Sequence, residues 1–230
     1  MEKIKSLTEF IEKVELLDLF SDIVIFRGQP IKGSLLPGIA RVDALKDTTE
    51  KEKETFKQLK LLGASHLPHD AKDLDVLVIG QHFGLKTRLL DWTSNPLIAL
   101  WFACSDGSNK DSYVYALDAK NFMVDDAYSE DPFSFKETRV FQPRMNNPRI
   151  IAQSGWFTLH RHSATSKKFV PLEHNKKFSS RLKDYCINAQ SKPSIISSLM
   201  LMGISHKTIY PDLGGLCAYL NTKDQLMIKL

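Results

Sequence analysis

The densest mixture of polar and large apolar side chains lies in residues 81–103, QHFGLKTRLLDWTSNPLIALWFA. Arg88, Asp91 and Thr93 are interspersed there with leucines and a tryptophan in a short strand predicted over 87–93. Polar groups inside an apolar core cost free energy unless each finds a hydrogen-bond partner. The pattern therefore predicts either a satisfied structural network or the floor of a binding site.

Groups that favour an anion stand at the ends of two predicted elements. Arg27 lies near the end of a core strand, where its planar fork of donors suits a pyrophosphate, and Gly28 leaves room for a ligand to approach the backbone. Thr93 and Ser94 precede a buried helix, where hydroxyls and free N–H groups favour negative charge. His82 adds a group whose charge can change near neutral pH. We therefore expect a cleft with an anionic ligand.

Regular secondary structure is predicted on both sides of this stretch. Strands are expected over 23–29, 87–93, 112–117 and 149–159, the last with a bulge at 153–155, and an extended segment over 204–210. Helices are expected over 6–19, 48–66, 72–83, 193–202 and 211–220, and a further helix begins at Pro96. Residues 118–148 are expected to be mostly loop. The 230 residues therefore predict one α+β domain, a central split sheet of short strands surrounded by helices.

Charge and cysteine usage indicate the environment of the protein. The formal charge of +4 permits an anionic partner without requiring one. Cys104, Cys186 and Cys217 are odd in number and lack metal-ligand spacing, which predicts reduced thiols. Residues 1–20 lack the apolar core of a signal peptide, and no apolar run is long enough to span a bilayer. We therefore expect a cytoplasmic protein with no membrane partner and no metal ion.

Four motifs in the sequence resemble those of the FRG domain family. They are the tripeptide at 26–28 (FRG), the run at 81–93 (Q-H-x-G-x-x-T-R-L-L-D-W-T), and the segments at 152–155 (AQSG) and 210–215 (YPDLGG). Because these motifs are spread over most of the chain, the resemblance implies a single FRG-like domain over residues 1–230.

A second set of residues resembles the ADP-ribosyltransferase superfamily. Its members carry an Arg or His on a first core strand, a Ser-Thr-Ser-type strand leading into a helix, and a later strand with a catalytic Glu. Arg27 corresponds to the first position, residues 92–94 to the second and Gln153 to the third. Trp92 replaces a hydroxyl there, and the Gln153 amide replaces a carboxylate and cannot ionise. The resemblance implies an ADP-ribosyltransferase-like split sheet.

The same resemblance implies a nucleotide-binding protein with NAD as substrate. The reaction would be transfer of ADP-ribose to a macromolecular acceptor or hydrolysis of NAD, in a toxin or in defence against phage. The expected catalytic residues are Arg27, His82, Asp91 and Gln153. The expected NAD-binding residues are Arg27, Gly28, Gln29, Arg88, Trp92, Thr93 and Ser94.

Structural roles are the alternative for the same side chains. Either Arg27 or Arg88 could form a buried ion pair with Asp91, and removing one member of such a pair would destabilise the fold by roughly 3–5 kcal/mol. His82 could have a purely structural role at the end of a helix. Gln153 could belong to a structural bulge instead of a binding site.

The basic stretch over 161–183 provides an alternative function. It contains Arg161, Lys167, Lys168, Lys176, Lys177, Arg181 and Lys183. These residues form either a solvated face or the contact surface of a non-catalytic module that binds nucleic acid or protein. The stretch lacks the aromatic interleaving that stacking on single strands requires, which favours the solvated face. His160 and His162 are two residues apart on a strand, and we expect both at the surface.

Overall fold

A mixed β-sheet forms the centre of the fold. The computed structural model describes residues 2–18 and 22–227. Within these ranges the strands are β1 (Lys3–Ile4), β2 (Val24–Gln29), β3 (Leu89–Thr93), β4 (Ser112–Asp118), β5 (Arg139–Phe141), β6 (Gly155–Leu159), β7 (His162–Ser163), β8 (Lys168–Phe169) and β9 (Leu182–Ile187). The order across the sheet is β1-β9-β4-β2-β3-β6-β5, and β7 pairs with β8 separately. Neighbouring strands are antiparallel except β1 with β9.

Helices pack against the sheet, which confirms the predicted α+β class. They are α1 (Leu7–Asp18), α2 (Thr49–Leu62), α3 (Asp73–His82), α4 (Pro96–Cys104), α5 (Pro148–Ala152), α6 (Lys176–Ser179), α7 (Lys192–Leu201), α8 (His206–Ile209) and α9 (Leu213–Met227). Alternate residues of β2 belong to two cores: Phe26 packs with α1, α4 and α7, whereas Ile25 packs in a cluster that includes Phe178. This alternation is the two-residue period of a strand.

The strand pairing in the sheet is shortest between β2 and β3. These strands share a single residue pair, Phe26 with Thr93, whereas β2 pairs with β4 at all positions from Val24 to Gln29. The four strands β1, β9, β4 and β2 are therefore joined to β3, β6 and β5 through one short contact, and β2 and β3 diverge beyond it.

Helix α4 fixes the geometry at this junction. The Asn95 side chain caps the helix by accepting hydrogen bonds from the main-chain nitrogens of Leu97 at 2.9 Å and Ile98 at 3.4 Å. A Cβ atom on Gly28 would lie 1.9 Å from the main-chain oxygen of Ala99. Because no side chain fits there, glycine is what allows β2 and α4 to approach so closely.

Most predicted elements are confirmed, and two segments are corrected. Residues 148–152 form α5 instead of the start of a strand, because Pro148 occupies the first turn and Asn147 accepts a hydrogen bond from the Arg149 nitrogen at 2.8 Å. Residues 206–209 form α8 instead of an extended segment, because the Thr208 hydroxyl accepts a hydrogen bond from the Ser205 main-chain nitrogen at 2.9 Å and closes the first turn.

The predicted helix over 6–19 is confirmed as α1, although residue 19 lies outside the described ranges. The predicted loop over 118–148 contains β5, and β9 lies in a segment for which no strand was predicted. Among the residues that the structure describes, none of the helices has both the length and the apolar character needed to cross a membrane.

Candidate functional site

A cavity of about 280 Å³ lies beside the junction of β2 and β3. Strands β2 and β3, helices α3 and α4, and the C-terminal part of the chain all contribute to its wall. The lining residues are Phe26, Arg27, Gly28, Gln81, His82, Asp91, Trp92, Thr93, Phe102, Arg149, Gln153 and Tyr210. The fold therefore brings into one cavity most of the side chains that the sequence predicts for the site.

Arg27 and Asp91 face each other across the diverging strands. The Arg27 Nη1 atom donates to the main-chain oxygen of Asp91 at 2.7 Å and lies 3.7 Å from its carboxylate Oδ2. The Arg27 Nε atom is buried and has no hydrogen-bond partner among the described residues. Burial lowers the pKa of Arg27 to about 10, against the opposing effect of Asp91, so the guanidinium stays charged at neutral pH. Arg27 thus has one buried donor that no described group of the protein satisfies.

Gln81 orients the Asp91 carboxylate. Its Nε2 donates to Asp91 Oδ2 at 3.1 Å and to the Leu89 main-chain oxygen at 3.4 Å. Its Oε1 accepts from the Thr87 hydroxyl at 2.8 Å, which fixes the orientation of the amide. Gln81 was not among the predicted site residues, although it opens the motif that contains Asp91.

His82, the last residue of α3, lies on the cavity wall with its Nε2 atom buried and without a partner in the described part of the chain. Burial lowers the pKa of His82, and Arg149 lowers it further while Asp91 opposes the shift. The imidazole is therefore neutral at pH 7 and can accept a proton through one ring nitrogen.

Aromatic rings close the rest of the wall. Trp92 is 4% exposed, and its Nε1 donates to the Thr158 hydroxyl at 3.1 Å. Thr158 Oγ1 lies 3.0 Å from His160 Nε2, and burial, reinforced by the charge of Arg27, lowers the pKa of His160 to about 3. A neutral His160 whose Nε2 carries no proton accepts a hydrogen bond from the Thr158 hydroxyl, so the network is satisfied. The surface position predicted for His160 was wrong, because the ring is buried and 1% exposed.

A comparison with protein-family models supports the resemblance to the FRG domain family. Residues 22–112 match the family model described as FRG domain. The match assigns residues 22–112, and not the whole chain, to the FRG domain family. No curated protein and no solved structure matches the chain. The matched region supplies the β2, α3, β3 and α4 sides of the 280 Å³ cavity, which we call the FRG cavity, whereas Arg149, Gln153 and Tyr210 come from beyond the matched region.

Gln153 reaches the FRG cavity from the end of α5 and not from a strand. Its predicted position on a strand was wrong, because the five residues before it are helical and β6 begins only at Gly155. Gln153 Nε2 donates to the main-chain oxygen of Ile209 at 3.2 Å, which ties this turn to α8. Ser154 has a φ of 47°, and its carbonyl accepts from the Ser94 nitrogen at 3.0 Å.

Three predicted ligand-binding residues do not line the FRG cavity: Gln29, Arg88 and Ser94. Arg88 is 1% exposed and pairs with Glu52, from Nε to Oε2 at 2.9 Å and from its main-chain nitrogen to Oε1 at 2.7 Å. The predicted alternative of an Arg88–Asp91 pair was therefore wrong, whereas the Arg27–Asp91 pair is present.

Thr93 and Gly28 line the FRG cavity but also have structural partners. The Thr93 hydroxyl accepts from the Asn95 nitrogen at 3.0 Å, and Gly28 accommodates α4. Four further lining residues, Phe26, Phe102, Arg149 and Tyr210, were not among the predicted site residues. Tyr210 belongs to the YPDLGG motif, whereas Arg149 carried no local signal.

Proposed function

We propose that the FRG cavity binds NAD as a substrate, and that the protein transfers ADP-ribose to a macromolecular acceptor or hydrolyses NAD. The observation that supports this proposal is the convergence of three segments on one cavity. Arg27 comes from β2, residues 91–93 come from β3, and Gln153 follows α5. These are the three places at which the sequence resembles an ADP-ribosyltransferase-like core.

The composition of the wall suits a nucleotide. Arg27 and Arg149 supply two guanidiniums that suit phosphate, although each lies beside a carboxylate, Asp91 and Asp212 respectively. Trp92, Phe102 and Tyr210 supply apolar surface for a ring. The volume of 280 Å³ lies at the lower limit of small-molecule sites, which start at roughly 300 Å³, so one nucleoside end of the dinucleotide would enter while the remainder extends outside.

Asp91 is the carboxylate we assign to the chemistry. Cleavage of the bond between ribose C1′ and nicotinamide develops positive charge on the ribose, which an adjacent carboxylate stabilises. Gln153 cannot take this part, because its amide is neutral and its Nε2 is bonded to the Ile209 carbonyl. The electron pair of the broken bond leaves with nicotinamide. An oxygen of water or of the acceptor bonds to C1′, and the neutral His82 accepts its proton.

Release of nicotinamide from NAD tests this proposal. Wild-type protein is expected to release it, and Asp91→Asn is expected to lose the activity while keeping the fold, because Asn retains an oxygen that can accept from Gln81. Arg139→Gln serves as the matched control, since Arg139 lies on β5 and pairs with Glu137 away from the cavity. Binding of NAD without release would leave a nucleotide-binding role, and no interaction with NAD would refute the proposal.

The basic stretch over 161–183 has less support as a binding surface. Lys177 and Arg181 already pair with Glu137 and Asp118, and Phe169 and Phe178 are buried where they cannot stack on bases. If the protein does not bind NAD but binds oligonucleotides with an affinity that falls steeply as salt rises, the recognition module is favoured instead. The toxin or phage-defence role remains an expectation that depends on activity towards NAD, and the cytoplasmic location remains an expectation from the sequence alone.

A further inference from the structure

Arg149 is the second guanidinium of the FRG cavity, and four groups hold it in place. Its Nη2 and Nε atoms donate to Asp212 Oδ2 at 2.7 and 3.2 Å, and its Nη1 donates to the main-chain oxygen of His82 at 3.3 Å. The ring centroids of Tyr210 and Phe83 lie 5.3 and 5.9 Å from the guanidinium carbon. Such a guanidinium is preorganised, so little conformational entropy is lost when it meets a ligand.

The position of Arg149 differs from that of Arg27. The Arg27 side chain is 14% exposed, whereas that of Arg149 is 31% exposed and its partner Asp212 is 40% exposed. Phe83 next to Arg149 is 77% exposed. Arg27 therefore lies in the interior of the cavity and Arg149 lies at its mouth, where solvent and a ligand both have access.

Asp212 is tied to a second structural element. Its Oδ1 atom accepts from the main-chain nitrogen of Gly215 at 2.9 Å, in the first turn of α9, while Oδ2 accepts from Arg149. The ion pair is exposed on both sides, so solvent screens it and its net stabilisation is small. A phosphate offers the same guanidinium two oxygens in a fork and binds it more strongly than one exposed carboxylate oxygen does.

We propose that Arg149 forms a phosphate subsite at the mouth of the FRG cavity, and that a nucleotide phosphate displaces Asp212 from it. This inference rests on the proposed function, because it places the phosphates of NAD at Arg149 and the nucleoside end beyond it. Asp212 acts as an internal competitor, since every phosphate that binds must replace its carboxylate oxygen. Its capping contact to α9 does not involve the competing oxygen, so the helix keeps its cap during the exchange.

Two substitutions change this subsite in opposite directions. Arg149→Gln removes the guanidinium and is expected to weaken NAD binding by about tenfold or more, the effect of losing a charge-assisted bidentate contact. Asp212→Asn removes the competing charge but keeps a good helix N-cap, so it is expected to tighten NAD binding several-fold. Neither change is expected to alter binding of nicotinamide riboside, which lacks phosphate.

Isothermal titration with NAD and with nicotinamide riboside tests the subsite, with Arg139→Gln as the control because that arginine is 37% exposed and also pairs with a carboxylate. The subsite is supported when Arg149→Gln and Asp212→Asn shift the NAD dissociation constant in opposite directions and leave that of the riboside unchanged. Wild-type binding of NAD that neither variant alters refutes the subsite alone. If Arg149→Gln does not fold, Asp212→Asn decides, since unaltered NAD affinity in that variant refutes the competition. Wild-type protein that binds neither compound refutes the proposed function.

Discussion

The Arg27 guanidinium donates a 2.7 Å hydrogen bond to the main-chain oxygen of Asp91, while its distance to the carboxylate of the same residue is 3.7 Å. This bond spans β2 and β3 where their ladder has ended after the single pair Phe26–Thr93. Arg27 therefore holds the two parts of the sheet together and also lines the cavity. Structure and ligand binding depend on the same side chain.

Removal of this bond is expected to lower stability. Arg27→Met eliminates a charged donor to a main-chain oxygen, which costs about 1.5–3 kcal/mol in the free energy of unfolding. Urea denaturation monitored by tryptophan fluorescence measures the change. Arg181→Met is the control, because Arg181 pairs with Asp118 at the surface and such pairs contribute about 0–1 kcal/mol. Equal effects of the two substitutions would contradict the role of Arg27 at the junction.

Gly28→Ala tests the close approach of β2 and α4. The added methyl would lie 1.9 Å from the Ala99 oxygen and 2.6 Å from the Ala103 nitrogen, both main-chain atoms that cannot move independently. Overpacking of this kind costs about 1–3 kcal/mol or more, so a lower melting temperature is expected. Gly38→Ala is the matched control, because its nearest neighbour would be Lys86 Cα at 3.6 Å, an ordinary contact. An unchanged melting temperature in Gly28→Ala would show that α4 can shift to accommodate the methyl group.

The Glu52–Arg88 pair is expected to stabilise the fold without taking part in ligand binding. Both side chains are buried, at 3% and 1% exposure, so Glu52→Gln leaves the Arg88 charge without its counter-ion. Loss of one member of a buried pair costs about 3–5 kcal/mol, whereas Glu50→Gln in the exposed Glu50–Lys53 pair should cost about 0.5 kcal/mol or less. Chemical denaturation separates the two. An equally small loss of unfolding free energy in Glu52→Gln and Glu50→Gln would contradict the stabilising role of the buried pair.

The sequence predicted β2, α3, β3 and α4 around the cavity from local signals, whereas α5 and α8 were predicted as extended segments. Pro96 and Asn95 mark the start of α4, and the alternation in β2 marks a strand. The long-range partners could not be predicted from local pattern. Arg149 meets the His82 carbonyl and Asp212 across 67 and 63 positions of the chain, and Arg88 meets Glu52 across 36. Nothing in the neighbouring residues of an arginine indicates which distant carboxylate it will meet.

The prediction for His160 failed for a related reason. Two histidines spaced by two on a strand share a face, but the alternation does not say which face is covered. His160 packs into the interior and its ring accepts from Thr158, while His162, two residues further on, bonds to the Leu45 carbonyl in a more open position. Burial of His160 depends on residues far away in sequence, which no local pattern contains.

The buried His160 makes stability depend on pH. Its pKa falls from 6.5 to about 3 on folding, so below pH 6.5 the unfolded chain binds a proton that the folded chain does not. The stability contributed by the neutral ring is complete above pH 6.5 and declines as pH falls towards 3, by about 2 kcal/mol between pH 7 and pH 5. His160→Gln should reduce that decline in urea titrations at several pH values, with the exposed His174→Gln as control. Identical pH profiles in wild type and His160→Gln would contradict this assignment.

Binding of NAD in the cavity beside Arg27 and Asp91 is the central claim, and calorimetric titration of NAD into folded protein tests it most directly. Wild-type protein and the Arg139→Gln control are expected to bind one NAD with the same affinity. Arg27→Lys, which keeps the charge but loses the fork of donors, is expected to bind about tenfold more weakly. Wild-type protein that binds no NAD, or an Arg27→Lys variant that binds it as tightly as wild type, would contradict the claim.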